Sequence, residues 1–162
     1  MEYLDIVDEQ GQPTGEIISR TLAHTNGIRH RTAHIWIVRR KNEHFQVLMQ
    51  KRAMSKDSFP GKYDTSSAGH IQAGDEPLAS GLRELAEELG IHAKPEDLAF
   101  AGCIHGNFAE EFHGKIFRDN EIAFVYIYQQ PVDIETLVLQ KEEVESVRWF
   151  DLEETYQQCS QH

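Results

Sequence analysis

Residues 69–91 read GHIQAGDEPLASGLRELAEELGI, a glycine-bounded turn running into a segment with three glutamates near its end. Asp75 suits an N-cap, Pro77 a first turn and Gly90 a stop, so the spacing predicts a helix over residues 76–89. Leu78, Leu82, Leu85 and Leu89 recur at helical intervals and form a stripe that must face a core. Glu84, Glu87 and Glu88 stand at i, i+3 and i+4 and converge on another face. Like charges so placed repel by about 0.2–0.5 kcal/mol per pair. Two readings answer that repulsion: a solvated acidic face, or a site for a hard cation such as Mg2+, which takes oxygen ligands and bridges carboxylates to phosphates. Arg83, four residues before Glu87, can pair with a carboxylate and fix its direction.

Outward from this segment the chain has the size of one domain. Its 162 residues, 40% apolar, suffice for one core and not for two, so a single domain over residues 1–162 is expected. The net charge of -11 disfavours a nucleic-acid groove, which needs clustered Lys and Arg, but permits a small anionic substrate where cations reverse the sign of a carboxylate-lined pocket. The start, MEYLDIVDEQ, carries neither a basic leader nor an apolar stretch, and the apolar run 122–128 is too short to span a bilayer. Cys103 and Cys159 offer neither a disulfide framework nor metal-knuckle spacing. A cytoplasmic setting without membrane attachment is the expectation.

Strands are expected at residues 4–7 and around 17–18, with a turn over 11–15 between them, and then at 33–38 and 45–50 with 39–43 as their connection. Residues 52–62, with Pro60-Gly61, read as a loop, and 63–67 as a short strand leading into Gly69. Strands at 98–104 and 121–128 enclose a long polar loop, for which a lid, an interface or disorder are the alternatives. A strand at 146–150 and a short helix capped by Asp151 end the chain. Strands alternating with only two evident helices point to an α/β (α+β) fold with a mixed sheet and helices on its faces.

The register Gly69, Asp75, Arg83-Glu84-Leu85, Glu87-Glu88, Gly90-Ile91 resembles the signature box of the Nudix (MutT-like) hydrolases, with Asp75 where that family usually has Glu. The resemblance implies an α/β/α sandwich and a hydrolase that cleaves a diphosphate linked to another moiety. It implies Mg2+ or Mn2+ held by Glu84, Glu87 and Glu88 and oriented by Arg83, the cations activating water and neutralising the leaving phosphate. The general base is open between Glu88 and a loop acid, Glu110 or Glu111.

A narrower likeness, over most of residues 4–155, is to isopentenyl-diphosphate isomerase, which shares that fold. It rests on VDEQGQPTGE, Ala23-His24-Thr25 with His30, KRAMSKDSFPGKYDTSSAGH and Asp119-Asn120-Glu121. It implies a second divalent metal at His24, His30, His70, Asp119 and Glu121, and diphosphate contacts from Arg20, Arg52 and Lys56. Imidazole ligands favour Zn2+ or Mn2+ over Mg2+ there. The isomerase needs a cysteine just before the Gly-His pair, and this chain has Ala68, whose methyl group moves no proton. The balance therefore falls to a hydrolase of a nucleoside-diphosphate derivative or related organic diphosphate, over an isomerase or a non-catalytic diphosphate-binding module. Trp36, Phe59, Tyr63 and Phe108 are open between pocket and core, and the oligomeric state is open, a homodimer included.

Overall fold

The computed structural model describes residues 2–56 and 58–160, with the side chains of 159 and 160 excepted. Strands β1 (Tyr3–Val7) and β2 (Pro13–Ser19) pair as a small antiparallel sheet, so Pro13, Thr14 and Gly15 belong to a strand rather than to the expected turn. A helix not anticipated from the sequence, α1 (Arg20–Asn26), follows at once. The Ser19 hydroxyl accepts from the Leu22 amide at its start, and Gly27 closes it in the left-handed conformation at φ 68°.

Strands β3 (His30–Lys41) and β4 (His44–Arg52) form a hairpin whose turn, Asn42-Glu43, has positive φ at both residues, the twist that suits a two-residue connection. The expected strand at 63–67 is instead two short ones, β5 (Tyr63–Asp64) and β6 (Ser67–His70), separated by Thr65 and Ser66. After α2 (Pro77–Glu84) come β7 (Leu98–Phe112), β8 (Lys115–Tyr128), β9 (Val144–Asp151) and α3 (Leu152–Ser160), whose Glu154 amide donates to Asp151 Oδ1. The polar stretch expected as a loop is a continuous hairpin: β7 and β8 pair from Leu98 opposite Tyr128 to Phe112 opposite Lys115, turning at His113-Gly114.

The main sheet is mixed. β3 runs parallel to β8 along one edge, and its other edge is shared by β6 at Thr32–Ile35 and by β4 at Ile37–Lys41. β4 and β6 therefore part from each other in a fork. The Ser66 hydroxyl plugs it, accepting from the Ile37 amide at 2.8 Å and donating to the Leu48 carbonyl. On one face Ile35, Ile37, Tyr126 and Tyr128 pack with the buried Leu85 and Leu89 and the partly buried Leu78 and Leu82, which is the predicted leucine stripe. Gly81 lets the helix approach, since a Cβ there would lie 2.8 Å from Ile35 Cδ1. The other face carries Thr32, His34 and Glu121 beside His24 of α1. Among the described residues no helix is long and apolar enough to cross a membrane.

Candidate active site

The carboxylate helix differs from expectation at both ends. Glu76, not Asp75, is its N-cap, without a side-chain capping bond. Asp75 instead accepts from Arg83 Nη1 at 3.0 Å, so the shorter acid at this position still reaches the arginine. Past Glu84 the backbone widens into a π-turn, Leu85–Leu89, closed by Gly90 at φ 72°. Such turns cluster at functional sites because the extra residue redirects side chains. The helix-end carbonyls of Glu88 and Leu89 accept from the amides of Gln140 and Val138.

Helix α1, the carboxylate helix and strands β3 to β8 meet at a cavity of about 800 Å3. Glu84, Glu87 and Glu88 line it from the helix, with Arg83 Nη2 3.3 Å from Glu84 and Nε 4.0 Å from Glu87. Glu84 folds over Gly69, where a Cβ would collide with its carboxylate. Glu88 is buried in the fork of the sheet: its Oε1 accepts from Ser67 Oγ at 2.7 Å, the Ala68 amide at 3.2 Å and Gln50 Nε2 at 3.3 Å. Burial pushes the Glu88 carboxyl up to about 7, further than the Ser67 bond and the other donors draw it down, with the Glu84 charge adding to the rise. Burial raises Glu84 too, against the opposing pull of Arg83.

The three expected cations line the same cavity, each leaning on an acid: Arg20 on Glu2 at 3.3 Å, Arg52 on Asp64 at 3.5 Å, and Lys56 on Glu143. Phe59, Tyr63 and Phe108 line it as well, whereas Trp36 does not. Phe59 holds a left-handed φ of 47° and sets its ring against Phe108 and Phe112 of the β7–β8 hairpin, at centroid distances of 5.9 and 4.9 Å. Glu110 and Glu111, weighed in the sequence as loop acids, are exposed on β7 and do not line the cavity. Cys103 is exposed on β7 and likewise absent from the walls, so it does not replace the thiol missing at Ala68.

The five residues of the second cluster also come together. One ring nitrogen each from His24, His30 and His70 lie within 4.8 Å of one another. Asp119 Oδ1 stands 3.7 Å from His24 Nε2 and 3.5 Å from His30 Nε2. His30 is fully buried; its Nδ1 is 2.9 Å from the Ile28 carbonyl and its Nε2 has no hydrogen-bond partner. Burial, then the neighbouring imidazoles and Arg20, lowers His24 to about 4 and His70 well below its ordinary value, so these rings are neutral and able to ligate near neutral pH. Burial and the bond and charge of Glu121 raise Asp119, which keeps the proton the two acids share. Burial opposes ionisation of Glu121, but His34, Asp119 and Thr32 outweigh it and hold Glu121 below the usual carboxylate range. An orphaned buried nitrogen among neutral imidazoles and paired acids fits a divalent cation.

Sequence reasoning missed Gln50 and Ser67, which hold Glu88, Thr32 and His34, which hold Glu121, and Phe117, whose ring packs on His24 at a centroid distance of 4.2 Å. Their partners lie far off in the chain, and no spacing signal marks them.

The NUDIX domain family model matches residues 28–161. An uncharacterised Nudix hydrolase of Clostridium acetobutylicum is 41% identical over 153 residues, covering 94% of this chain and 71% of its own length. Nudix hydrolase 3 of Arabidopsis thaliana is 39% identical over 155 residues, covering 94% of this chain but 20% of that longer protein. The isopentenyl-diphosphate Delta-isomerase of Streptomyces avermitilis is more distant, 30% identical over 129 residues, covering 80% of this chain and 63% of its own. In fold, the chain resembles DR0079 of Deinococcus radiodurans at TM-score 0.69 and 20% identity, covering 98% of this chain and 89% of that one. It also resembles the Nudix domain of Shewanella oneidensis NrtR, solved with ADP-ribose, at TM-score 0.58 and 17% identity, covering 78% and 75%. A carboxylate helix in its signature register, the fold and these relatives agree: the chain belongs to the Nudix hydrolase family.

Proposed function

We propose that the chain works as one domain that hydrolyses an organic diphosphate, a nucleoside-diphosphate derivative or a related compound, with Mg2+ or Mn2+ held by Glu84, Glu87 and Glu88. The observation that carries this is that those three carboxylates and the cations Arg20, Arg52 and Lys56 line one and the same cavity. When bound, the divalent cations supply an activated water and charge neutralisation at phosphorus. Arg83 sets the direction of Glu84 and Glu87, while Arg20, Arg52 and Lys56 exchange their present acid partners for phosphate oxygens. Glu88 lines the cavity and is the first candidate for the general base, a role open to it only where Glu84 and Glu87 hold the cations without it. The imidazole cluster would hold a second divalent ion, Zn2+ or Mn2+ by its ligand type.

An isomerase would need a proton donor where Ala68 stands, and among the described residues no cysteine lines the cavity. A diphosphate panel with product identification by mass spectrometry separates the readings. Phosphate-containing products are expected with Mg2+ or Mn2+. Allylic isomers without phosphate release would point to the isomerase, and binding without turnover to a sensor module. Glu87→Gln and Glu88→Gln should each lower kcat by orders of magnitude in a protein that still folds. Undiminished turnover in the double variant would remove the metal assignment.

A further inference from the structure

Glu88 does not sit free at the cavity wall. The sheet forks between β4 and β6, and the carboxylate is inserted into that fork, where three donors converge on one of its two oxygens. Two are side chains that solvent barely touches: Ser67 is fully buried and Gln50 is 4% exposed. Water therefore does not compete for these bonds. The Gln50 amide is oriented by two acceptors, the Ser66 carbonyl at 3.2 Å and Glu88 Oε1 at 3.3 Å, so its NH2 must face both. The third donor, the Ala68 amide, comes from β6, whose sole strand partner among the described residues is β3.

The three bonds all fall on Oε1, and no described donor reaches Oε2. A carboxylate saturated on one oxygen cannot rotate without breaking bonds made in a dry place, and its second oxygen is left for the cavity it lines. We infer that Gln50 and Ser67 are positioning residues that act through Glu88, fixing it as a one-oxygen ligand that presents Oε2. This rests on the reading of Glu88 as a metal carboxylate. Partners that orient a ligand in this way are worth about 10–100-fold in metal affinity or activity.

The test is a Mg2+ titration followed by amide NMR shifts of residues 69–91, on Ser67→Ala, Gln50→Met, Glu88→Gln and Ser67→Ala/Glu88→Gln. Mg2+ is chosen because a hard cation disfavours the imidazole cluster. Ser80→Ala is the control, since the Ser80 hydroxyl is buried without a hydrogen-bond partner. Ser67→Ala and Gln50→Met should each weaken Mg2+ about tenfold or more and lower kcat in parallel, with KM at saturating metal within about twofold. Ser80→Ala should leave both unchanged. In the Glu88→Gln background Ser67→Ala should have no further effect on Mg2+, because positioning through Glu88 is lost with it, whereas a merely structural role would add.

Should Gln50→Met not fold, Ser67→Ala and its double variant carry the same comparison. Unchanged Mg2+ affinity in Ser67→Ala, or full additivity with Glu88→Gln, overturns the inference. A wild-type protein that binds Mg2+ at residues 69–91 without turning over any diphosphate would defeat the proposed hydrolysis and leave the positioning testable by affinity alone. Absence of Mg2+ binding by the wild type would defeat both.

Discussion

Glu88 carries two opposed demands. Its folded carboxyl titrates near 7 against an ordinary 4.5, so between those values the folded chain keeps a proton that the unfolded chain has lost. The state that binds more protons is favoured at lower pH, and the contribution of Glu88 to stability therefore falls as pH rises from about 4.5 to about 7 and stays low above it. That difference corresponds to a ceiling of about 3 kcal/mol. Glu88→Gln keeps the shape and removes the buried charge. Metal-free, it should melt several degrees above wild type at pH 8 and close to it at pH 5, a comparison calorimetry can make. An equal difference at both pH values would deny the burial cost. Gly69 is the complementary case, because its missing side chain is the space the Glu84 carboxylate occupies. Gly69→Ala should swing a flexible carboxylate aside, lowering kcat at least about tenfold while the melting temperature changes little. The glutamates were legible in the sequence because helical spacing announces a shared face. Gln50 and Ser67 were not, since a buried polar residue on a strand has no period of its own and its partner lies 38 or 21 positions away.

Among the elements, α1 and the β7–β8 hairpin are what the sequence concealed. A seven-residue helix rich in threonine is too short for a periodic stripe, and only Ser19 as a cap and Gly27 as a stop marked it. β7 is an edge strand exposed on nearly all its length, so the apolar-polar alternation that reveals a half-buried strand is missing, and its polar residues read as a loop. The central helix, by contrast, buries Leu85 and Leu89 as its stripe required. The imidazole cluster ties α1, β3 and β6 into one unit through His24, His30 and His70. If it holds a cation, a chelator should lower the melting temperature of wild type, and His70→Ala, already deprived of a ligand, should lose that sensitivity. Equal response to chelator in both proteins would place the stabilising ion elsewhere.

Across the whole molecule, a buried ion pair joins the small sheet to the signature turn. Asp5 on β1 accepts from Arg31 on β3 at 2.9 Å and from the Gly74 amide at 2.9 Å, and Arg31 also donates to the Asp75 carbonyl at 3.0 Å. Asp5→Ala would leave the Arg31 charge buried and alone, a loss of about 3–5 kcal/mol. For a chain of this size that is on the order of 10 °C in melting temperature. Turnover measured well below that temperature should also fall, because the turn before the carboxylate helix loses its anchor. Unaltered stability would show the pair to be ornamental. None of this coupling was readable in advance, since Asp5, Arg31 and Gly74 are ordinary residues until the chain folds.

The same N-terminal stretch has a consequence for how new specificities can arise. Glu2, Arg20 and His24 face the cavity from a piece of chain that precedes the NUDIX match at residue 28, while the carboxylates face it from another. Chimaeras that exchange the first 27 residues between relatives would recast one wall and leave the carboxylate helix intact, provided Asp5 and His24 travel with the graft, and a shift in the preferred diphosphate at unchanged metal dependence would assign substrate choice to that wall.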